Sequence, residues 1–259
     1  MWFVSSLVTL LSVGSSPIVV LDSPIAMDGV PLEVEDFTNR AMVAESVFEP
    51  APGLAPQGRA LTAWAFDERY LWVGVRVFFN NPRRPLGPVD RRDSLPNGDR
   101  ITLRIDSAGK GERAFQFATN SAGVIRDLIL QAPERDEDAW DSMTDIATTE
   151  FDDGWFAEFQ IPLQELSIPK LRGTWGINVF FELWREEQRL SLFPVDVGNR
   201  NAVAKVGYVD VALDDLPDYS LRLLPAATVA ASSEDSESGC VSEFAKGRFT
   251  TCKTASSVG

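Results

Sequence analysis

The stretch FDDGWFAEFQIPLQEL, residues 151–166, carries the pattern that decides the fold class. Its Asp-Asp-Gly is typical of a tight turn, because glycine reaches positive φ and aspartate tolerates turn geometry. Over residues 155–161 the side chains then alternate between two sets, which is the period of a β-strand with two unlike faces. Pro162 lacks a backbone donor and ends the strand, and a short helical turn follows. Glu158 falls on the second face, where it lies in solvent or meets a partner on the sheet.

Similar alternating segments recur along most of the chain and predict an all-β protein. Turn residues separate them, and residues 67–69 and 120–123 favour hairpin connections. The predicted strands cover residues 60–66, 70–79, 101–106, 114–119, 124–131, 144–151, 155–161, 175–184, 190–193 and 206–211. So many short strands indicate an antiparallel sandwich or barrel. Short helices are expected only at residues 36–43 and after Pro162.

Composition limits the possible functions. With 259 residues, of which 44% are hydrophobic, the chain can bury a substantial core. Its formal net charge of −14 argues against nucleic acid or an anionic membrane as a partner, since both attract positive surfaces. Histidine does not occur, which excludes histidine-based triads, general bases and zinc sites. We therefore predict that the protein is not an enzyme.

The two ends of the chain suggest export. Residues 1–21 begin with an apolar run followed by small residues, which is typical of a secretory signal peptide. A buried first strand is the alternative for this run. The only cysteines, Cys240 and Cys252, could close a small disulfide loop in an exported protein. The polar composition around them predicts a loop or a disordered end.

Two loops between the predicted strands are candidates for binding regions. Residues 80–99 form a long, proline-rich segment, and long ordered loops on sandwiches often frame binding sites. Residues 133–143 are densely acidic around Trp140.

The order of motifs along the chain resembles the family-nine carbohydrate-binding modules. The resemblance rests on MDGVPLE (27–33), TAWAFDERYLWVGV (62–75), GDRITLRID (98–106), FQFATNSAG (115–123), DGWFAEFQIPLQEL (153–166) and WGINVFF (175–181). It implies a jelly-roll-like antiparallel β-sandwich over residues 22–215, recognition of sugar ends and, in some members, structural calcium. Among these modules, the chain is most similar to those that precede an outer-membrane β-barrel.

That subgroup also implies a role for residues 216–259. DLPDYSLRLLPAATVAA, which ends with the apolar stretch at 219–231, is similar to the junction into the barrel. We therefore expect either a longer form of the protein in which a barrel follows, or a soluble relative of the barrel-bearing proteins. The expected location is the periplasm or outer membrane of a Gram-negative bacterium.

The resemblance also locates the sugar contacts. One stacking position falls at Pro96 and the other at Phe193, while Thr102 stands where the family has an acidic side chain. Phe180 and Leu183 fill two positions that are polar contacts in the family. The predicted ligand-binding residues are Trp140, Trp184, Phe193, Arg92 and Asn178.

Carboxylates supply the candidates for metal binding and for hydrolysis. Calcium prefers clustered oxygen ligands. The predicted metal ligands are Asp93, Asp99, Asp106 and Asp127, with the acidic run at 134–145 as an alternative. Glycoside hydrolysis would need two acids on opposite sides of a cleft, and Glu158 is the candidate for one of them. We instead expect Glu158 to pair with an arginine such as Arg104 or Arg76.

The best prediction is a non-catalytic carbohydrate-binding domain of an exported, outer-membrane-associated protein. The alternative is a structural or interaction domain that precedes a barrel and binds no sugar. A glycoside hydrolase ranks last.

Overall fold

Fourteen β-strands and one 3-10 helix make up the regular structure of the described residues. The computed structural model describes residues 18–20, 26–29, 41–132, 135–168 and 172–212. These belong to the first of two structural units, residues 1–220, while the second, residues 221–259, lies outside the described ranges. The strands are β1 (Ile18–Val20), β2 (Met42–Ala44), β3 (Ser46–Glu49), β4 (Gly58–Phe66), β5 (Tyr70–Phe79), β6 (Arg100–Asp106), β7 (Arg113–Asn120), β8 (Ile125–Gln131), β9 (Arg135–Glu137), β10 (Asp145–Phe151), β11 (Gly154–Pro162), β12 (Arg172–Leu183), β13 (Gln188–Ser191) and β14 (Gly207–Ala212); the 3-10 helix is Leu163–Leu166.

The strands form two sheets, and the predicted all-β sandwich is confirmed. The first sheet has the order β1-β4-β5-β11-β10, with β2 also paired to β4. The second has the order β3-β13-β12-β6-β7-β8-β9, with β14 also paired to β12. All pairs are antiparallel except the short one between β1 and β4. The predicted strands from residue 60 onward match the observed ones within a few residues.

The core lies between the two sheets because alternate residues of each strand are apolar. In the first sheet Trp64, Val75 and Phe159 are buried, and in the second Leu103 and Phe181 are buried. Trp175 meets Phe66 edge-on, with the ring centroids 5.6 Å apart. Three tryptophans of the strands lie in this core and are at most 1% exposed, Trp64, Trp155 and Trp175, while Trp72 is buried in a separate small cluster with Ala63 and Ala65.

Four short strands, β1, β2, β3 and β9, were not among the strands predicted from the sequence. Met42 and Val43 lie in β2, so the helix predicted at 36–43 is wrong at its end, while residues 36–40 lie outside the described ranges. β3 and β9 are only four and three residues long, too short for a clear alternating pattern. β1 falls inside the predicted leader and buries Ile18. The assignment of residues 1–21 to a signal peptide stays a prediction.

An arginine-centred cluster, the Arg83 clasp, fixes the long loop at 80–99. The Arg83 guanidinium donates to both oxygens of Asp99 at 2.6 and 2.9 Å. It also donates to both oxygens of Glu186 at 2.9 and 2.6 Å. Burial opposes the charge on Arg83, but the bonds to these two carboxylates raise its pKa. The clasp therefore ties the loop to the turn that follows β12.

Several expectations fall outside the described residues. These are the barrel-like stretch at 219–231 and the pairing of Cys240 with Cys252. Within the described ranges, the structure contains no helix that has both the length and the hydropathy of a membrane span.

Candidate functional site

A groove of about 270 Å³ opens on the outer face of the second sheet. It forms there because β6 alternates apolar side chains facing the core with polar ones facing outward, and β12 presents Phe180 and Glu182 beside them. We call it the outer groove. Its lining includes Phe48, Thr102, Gln116 and Phe180 and the charged side chains Glu49, Arg100, Arg104, Glu182, Arg189 and Lys205.

The floor of the outer groove combines aromatic rings with hydrogen-bonding groups. Thr102 and Phe180 are direct neighbours across β6 and β12. Phe48 from β3 meets Phe180 edge-on, with the ring centroids 5.9 Å apart. Gln116, on β7, is the cross-strand neighbour of Arg104 on β6. This mixture of flat apolar rings and polar side chains is typical of small-molecule sites.

One end of the outer groove is electrically balanced. Arg189 lies 3.0 Å from a carboxylate oxygen of Glu49 and 3.3 Å from one of Glu182. Arg100 is the cross-strand neighbour of Glu182. Burial lowers the pKa of Arg100, and the negative charge of Glu182 offsets part of that effect.

The other end holds an arginine with neutral partners. Arg104 donates to the carbonyl oxygen of Ala202 at 2.7 Å and to the side-chain oxygen of Gln116 at 2.8 Å. Its guanidinium carbon lies 4.7 Å from the centre of the Phe180 ring. Its Nε is buried and has no hydrogen-bond acceptor among the described residues. Burial lowers the pKa of Arg104 to about 10, with the negative charge of Asp136 acting in the opposite direction, so the side chain still carries its charge at neutral pH.

Trp184 lies in a second groove of about 350 Å³ next to the first. The two grooves share Glu49, Glu182 and Arg189. Trp184 is 37% exposed, and its backbone N–H donates to Asp99 of the Arg83 clasp at 3.0 Å. Among the five predicted ligand residues, Trp184 therefore has an exposed ring close to the outer groove, and its ligand role stays a prediction.

Three other predicted ligand residues take packing positions. Trp140 packs against the rings of Phe115 and Phe117, at centroid distances of 5.5 and 5.8 Å. Asn178 is fully buried, and its side-chain amide donates to the carbonyl oxygens of Phe193 and Lys205. The Phe193 N–H in turn donates to the Asn178 side-chain oxygen at 3.1 Å. These contacts fix the loop between β13 and β14.

The fifth, Arg92, belongs to a separate cluster near the start of β8. We call this cluster the acidic corner, and its members are Arg92, Asp93, Asp127, Asp141 and Ser142. Arg92 donates to Asp127 at 2.6 Å and to the Ser142 carbonyl oxygen at 2.9 Å. The Ser142 N–H donates to the same Asp127 oxygen at 2.6 Å. The other oxygen of Asp127 is buried without a hydrogen-bond donor among the described residues.

The acidic corner fits a divalent cation. One oxygen from each of Asp93, Asp127 and Asp141 can be chosen so that all three lie within 4.8 Å of one another. Burial and the negative charges of Asp127 and Asp141 raise the pKa of Asp93, with Arg92 acting in the opposite direction. The corner has three carboxylates and one arginine, so it carries an excess of negative charge. Carboxylate oxygens are the ligands that calcium prefers.

Two of the four predicted metal ligands lie elsewhere. Asp99 is saturated by the Arg83 clasp and by the backbone N–H groups of Leu86 and Trp184. Asp106 accepts backbone N–H bonds from Ala108, Gly109 and Gly111 and so closes the turn after β6. The structure thus brings Asp93 and Asp127 together and adds Asp141, which belongs to the acidic run named as the alternative.

Glu158 is buried on the outer face of the first sheet, at 5% exposure. Its predicted pairing with Arg104 is wrong, because Arg104 belongs to the second sheet. Arg76 lies in the neighbouring strand, but its guanidinium bonds to Asp153 instead. The structure does not show either of the two expected arginine pairs.

Nine residues that line the outer groove were not singled out as ligand candidates from sequence: Phe48, Glu49, Arg100, Arg104, Gln116, Phe181, Glu182, Arg189 and Lys205. The outward positions of β6 and β7 were visible in the alternating pattern. Which strands lie side by side was not, so the pattern could not show that Gln116 and Phe180 flank Arg104.

Comparisons with known proteins identify the fold. A carbohydrate-binding module of family nine from Caldicellulosiruptor kristjanssonii in complex with cellotriose has a TM-score of 0.55 and 17% sequence identity, over 80% of this chain and 97% of that one. The same kind of module from that organism in complex with glucose has a TM-score of 0.55 and 18% identity, over 78% and 98%. A proposed carbohydrate-binding protein from Bacteroides uniformis has a TM-score of 0.58 and 15% identity, over 75% and 96%.

The chain has the fold of a family-nine carbohydrate-binding module. No protein-family profile matches the sequence, and no curated protein matches it either. Within this module fold, Thr102 and Phe180, two positions that the resemblance linked to sugar contacts, both line the outer groove.

Proposed function

We propose that the outer groove binds a saccharide and that the domain carries out no reaction on it. The observation that carries this proposal is the half-buried Phe180 ring beside Thr102, Gln116 and Arg104 in one groove. Sugars offer C–H faces that pack on aromatic rings and hydroxyl groups that bond to polar side chains. Structural neighbours in complex with cellotriose and glucose support the same ligand class.

The size of the outer groove favours the end of a glycan. Its volume of about 270 Å³ lies just below the range of ordinary ligand pockets, about 300–1,000 Å³. A site this small holds a terminal unit better than a long stretch of polymer.

A hydrolytic role is disfavoured by the way the groove carboxylates are held. Glu49 and Glu182 both bond to Arg189. Glycoside hydrolysis needs one carboxylic acid that keeps its proton for the leaving group, and a carboxylate engaged by arginine is poorly suited to that role.

Calorimetric titration with glucose, cellotriose and other short saccharides tests the proposed function. Phe180→Ala should weaken binding by at least about tenfold, because the stacking surface is lost. Phe78→Ala is the matched control: Phe78 also lies under an arginine, with the Arg59 guanidinium 5.0 Å from its centroid, but on the first sheet. A flat response across all sugars contradicts the proposal and favours the alternative, a structural or interaction domain that precedes a barrel.

We further propose that the acidic corner holds a structural calcium ion through Asp93, Asp127 and Asp141. The buried Asp127 oxygen that lacks a donor is the supporting observation. Calcium at about 100 times its dissociation constant would add about 2.7 kcal/mol to the free energy of unfolding. Thermal unfolding in calcium and in chelator measures this difference. Asp127→Asn should abolish it, and Asp152→Asn, at an exposed turn, should leave it unchanged.

We infer from the sequence that the protein is exported and associated with the outer membrane. The support is the signal-like pattern of residues 1–21 and the barrel-like stretch at 219–231. Fractionation of Gram-negative cells that express the full-length protein tests this inference. Recovery of the protein in the cytoplasm with an intact N-terminus would contradict it.

A further inference from the structure

The positive charges of the outer groove are unevenly matched. Arg189 is engaged by Glu49 and Glu182 at one end. Arg104 and Lys205 line the other end, and neither has a carboxylate within ion-pair distance among the described residues. The groove therefore divides into a neutralised end and a cationic end.

The cationic end stands out against the rest of the molecule. The chain carries 38 acidic and 24 basic residues, so its overall field is strongly negative. The lining of the groove nevertheless includes four cations, Arg100, Arg104, Arg189 and Lys205, and two carboxylates. A groove that keeps a local excess of positive charge on an acidic protein concentrates anions at that place.

Arg104 has the geometry to receive an anionic group. Two of its five N–H donors bond to neutral oxygens, those of Ala202 and Gln116. The side chain is fixed by those bonds and by the Phe180 ring beneath it. A cation that is largely removed from water and bonded only to neutral acceptors is costly, and a negative charge nearby offsets that cost. Arginine also matches the planar shape of carboxylates.

We propose that the outer groove selects an acidic saccharide, with its carboxylate or sulfate group at Arg104 and Lys205 and its sugar ring against Phe180. This inference rests on the proposed saccharide binding and adds the charge of the ligand. The neutralised end, with Glu49, Glu182 and Arg189, faces the uncharged part of the ligand.

The experiment compares matched ligands on the full-length protein. A glucuronic acid trisaccharide, the matching glucose trisaccharide, a sulfated trisaccharide and inorganic sulfate are titrated at low ionic strength. We expect the acidic trisaccharides to bind at least about tenfold more tightly than the neutral one, which is the difference that one charge-assisted hydrogen bond makes. Whichever of the sulfated and the glucuronic acid trisaccharides binds with the higher affinity identifies the preferred anionic group.

Variants locate the charge preference. Arg104→Gln should remove most of the preference for the acidic trisaccharide, and Arg104→Lys should retain part of it. Arg59→Gln is the control, because Arg59 also lies over a phenylalanine ring, Phe78, on the opposite sheet. Lys205→Gln, at a loop position with no ion pair among the described residues, tests the same preference if Arg104→Gln unfolds.

The outcomes separate this inference from the proposed function. Equal affinity for the acidic and neutral trisaccharides overturns the inference and leaves saccharide binding in place. Inorganic sulfate that binds as tightly as the acidic trisaccharides also overturns it, because the site would then take any anion. Failure of every saccharide to bind overturns both proposals.

Discussion

Arg83 and Arg104 are two arginines withdrawn from solvent on the same sandwich, and the chain satisfies them in opposite ways. Arg83 bonds to two carboxylates, Asp99 and Glu186. Arg104 bonds to two neutral oxygens. A charge that is fully paired within the chain stabilises the fold and offers little to a ligand. A charge with only neutral partners contributes less to the fold and is available for recognition.

The largest expected effect comes from breaking the paired arginine. Arg83→Gln leaves the buried Asp99 without its cation, and breaking such a pair typically costs about 3–5 kcal/mol of the free energy of unfolding. Asp99 keeps its two backbone donors, which places the expected loss toward the lower end. Urea denaturation measures it, with Arg59→Gln as the exposed control. A loss below about 1 kcal/mol would show that the clasp is not a stabilising pair.

Replacing the arginine with neutral partners should give the opposite pattern. Arg104→Gln removes a buried charge that the more distant carboxylate of Asp136 only partly compensates, so the free energy of unfolding should change by no more than about 1 kcal/mol. The same variant should lose about tenfold in affinity for an acidic saccharide. Denaturation and calorimetry on one preparation measure both quantities. A destabilisation as large as that of Arg83→Gln would remove the contrast between the two arginines.

The acidic corner provides a third arrangement, in which like charges face one another. The pH dependence of stability that arises there should be a smaller effect than those expected at Arg83 and Arg104. The pKa of Asp93 is raised in the folded state by burial and by Asp127 and Asp141. The folded protein therefore binds this proton more tightly than the unfolded chain does. In chelator, the contribution of Asp93 to stability should rise as the pH falls from neutral toward the unfolded value of about 3.9.

Denaturation midpoints across this pH range, for the wild type and Asp93→Asn, isolate the effect. The wild type should gain more stability on acidification than the variant does. Added calcium should reverse the trend, since the ion binds the deprotonated carboxylates. Identical pH profiles for the two proteins would exclude a raised pKa at Asp93.

Ionic strength should produce the smallest of these effects, on the affinity for an acidic saccharide. It tests whether Arg104 is available to a charged ligand, as the contrast with Arg83 implies. Raising the ionic strength from about 0.1 M to 1 M shortens the Debye length from about 10 Å to about 3 Å. The affinity for an acidic saccharide should then fall several-fold, while the affinity for a neutral one stays constant. Calorimetry over a salt series measures both. Equal salt sensitivity for the two ligands would argue against a charged contact at Arg104.

The sequence predicted the layers well because alternation is a local property. The strand at 70–79 was predicted to the residue, and the burial of Trp155 and Trp175 followed from the same pattern. Short strands such as β3 and β9 carry too few residues to show a period. Alternation also tells inward from outward positions without telling which strand is the neighbour.

The candidate sites could not be predicted well because they depend on which strands and loops are neighbours in the fold. Trp140 lies in an acidic loop, which suggested exposure, but it packs against two phenylalanines. Arg104 was expected to pair with Glu158, although the two residues belong to different sheets. Asp93 and Asp127 lie 34 positions apart in the sequence, and only the folded chain brings Asp141 to them. Long-range contacts of this kind leave no trace in a single sequence.

The Arg83 clasp has a consequence for protein engineering. None of its three side chains, Arg83, Asp99 and Glu186, lines the outer groove. A combinatorial library could therefore randomise positions 102, 104, 116 and 180 while the clasp keeps the long loop anchored. The domain would then serve as a histidine-free scaffold from which new glycan reagents are selected.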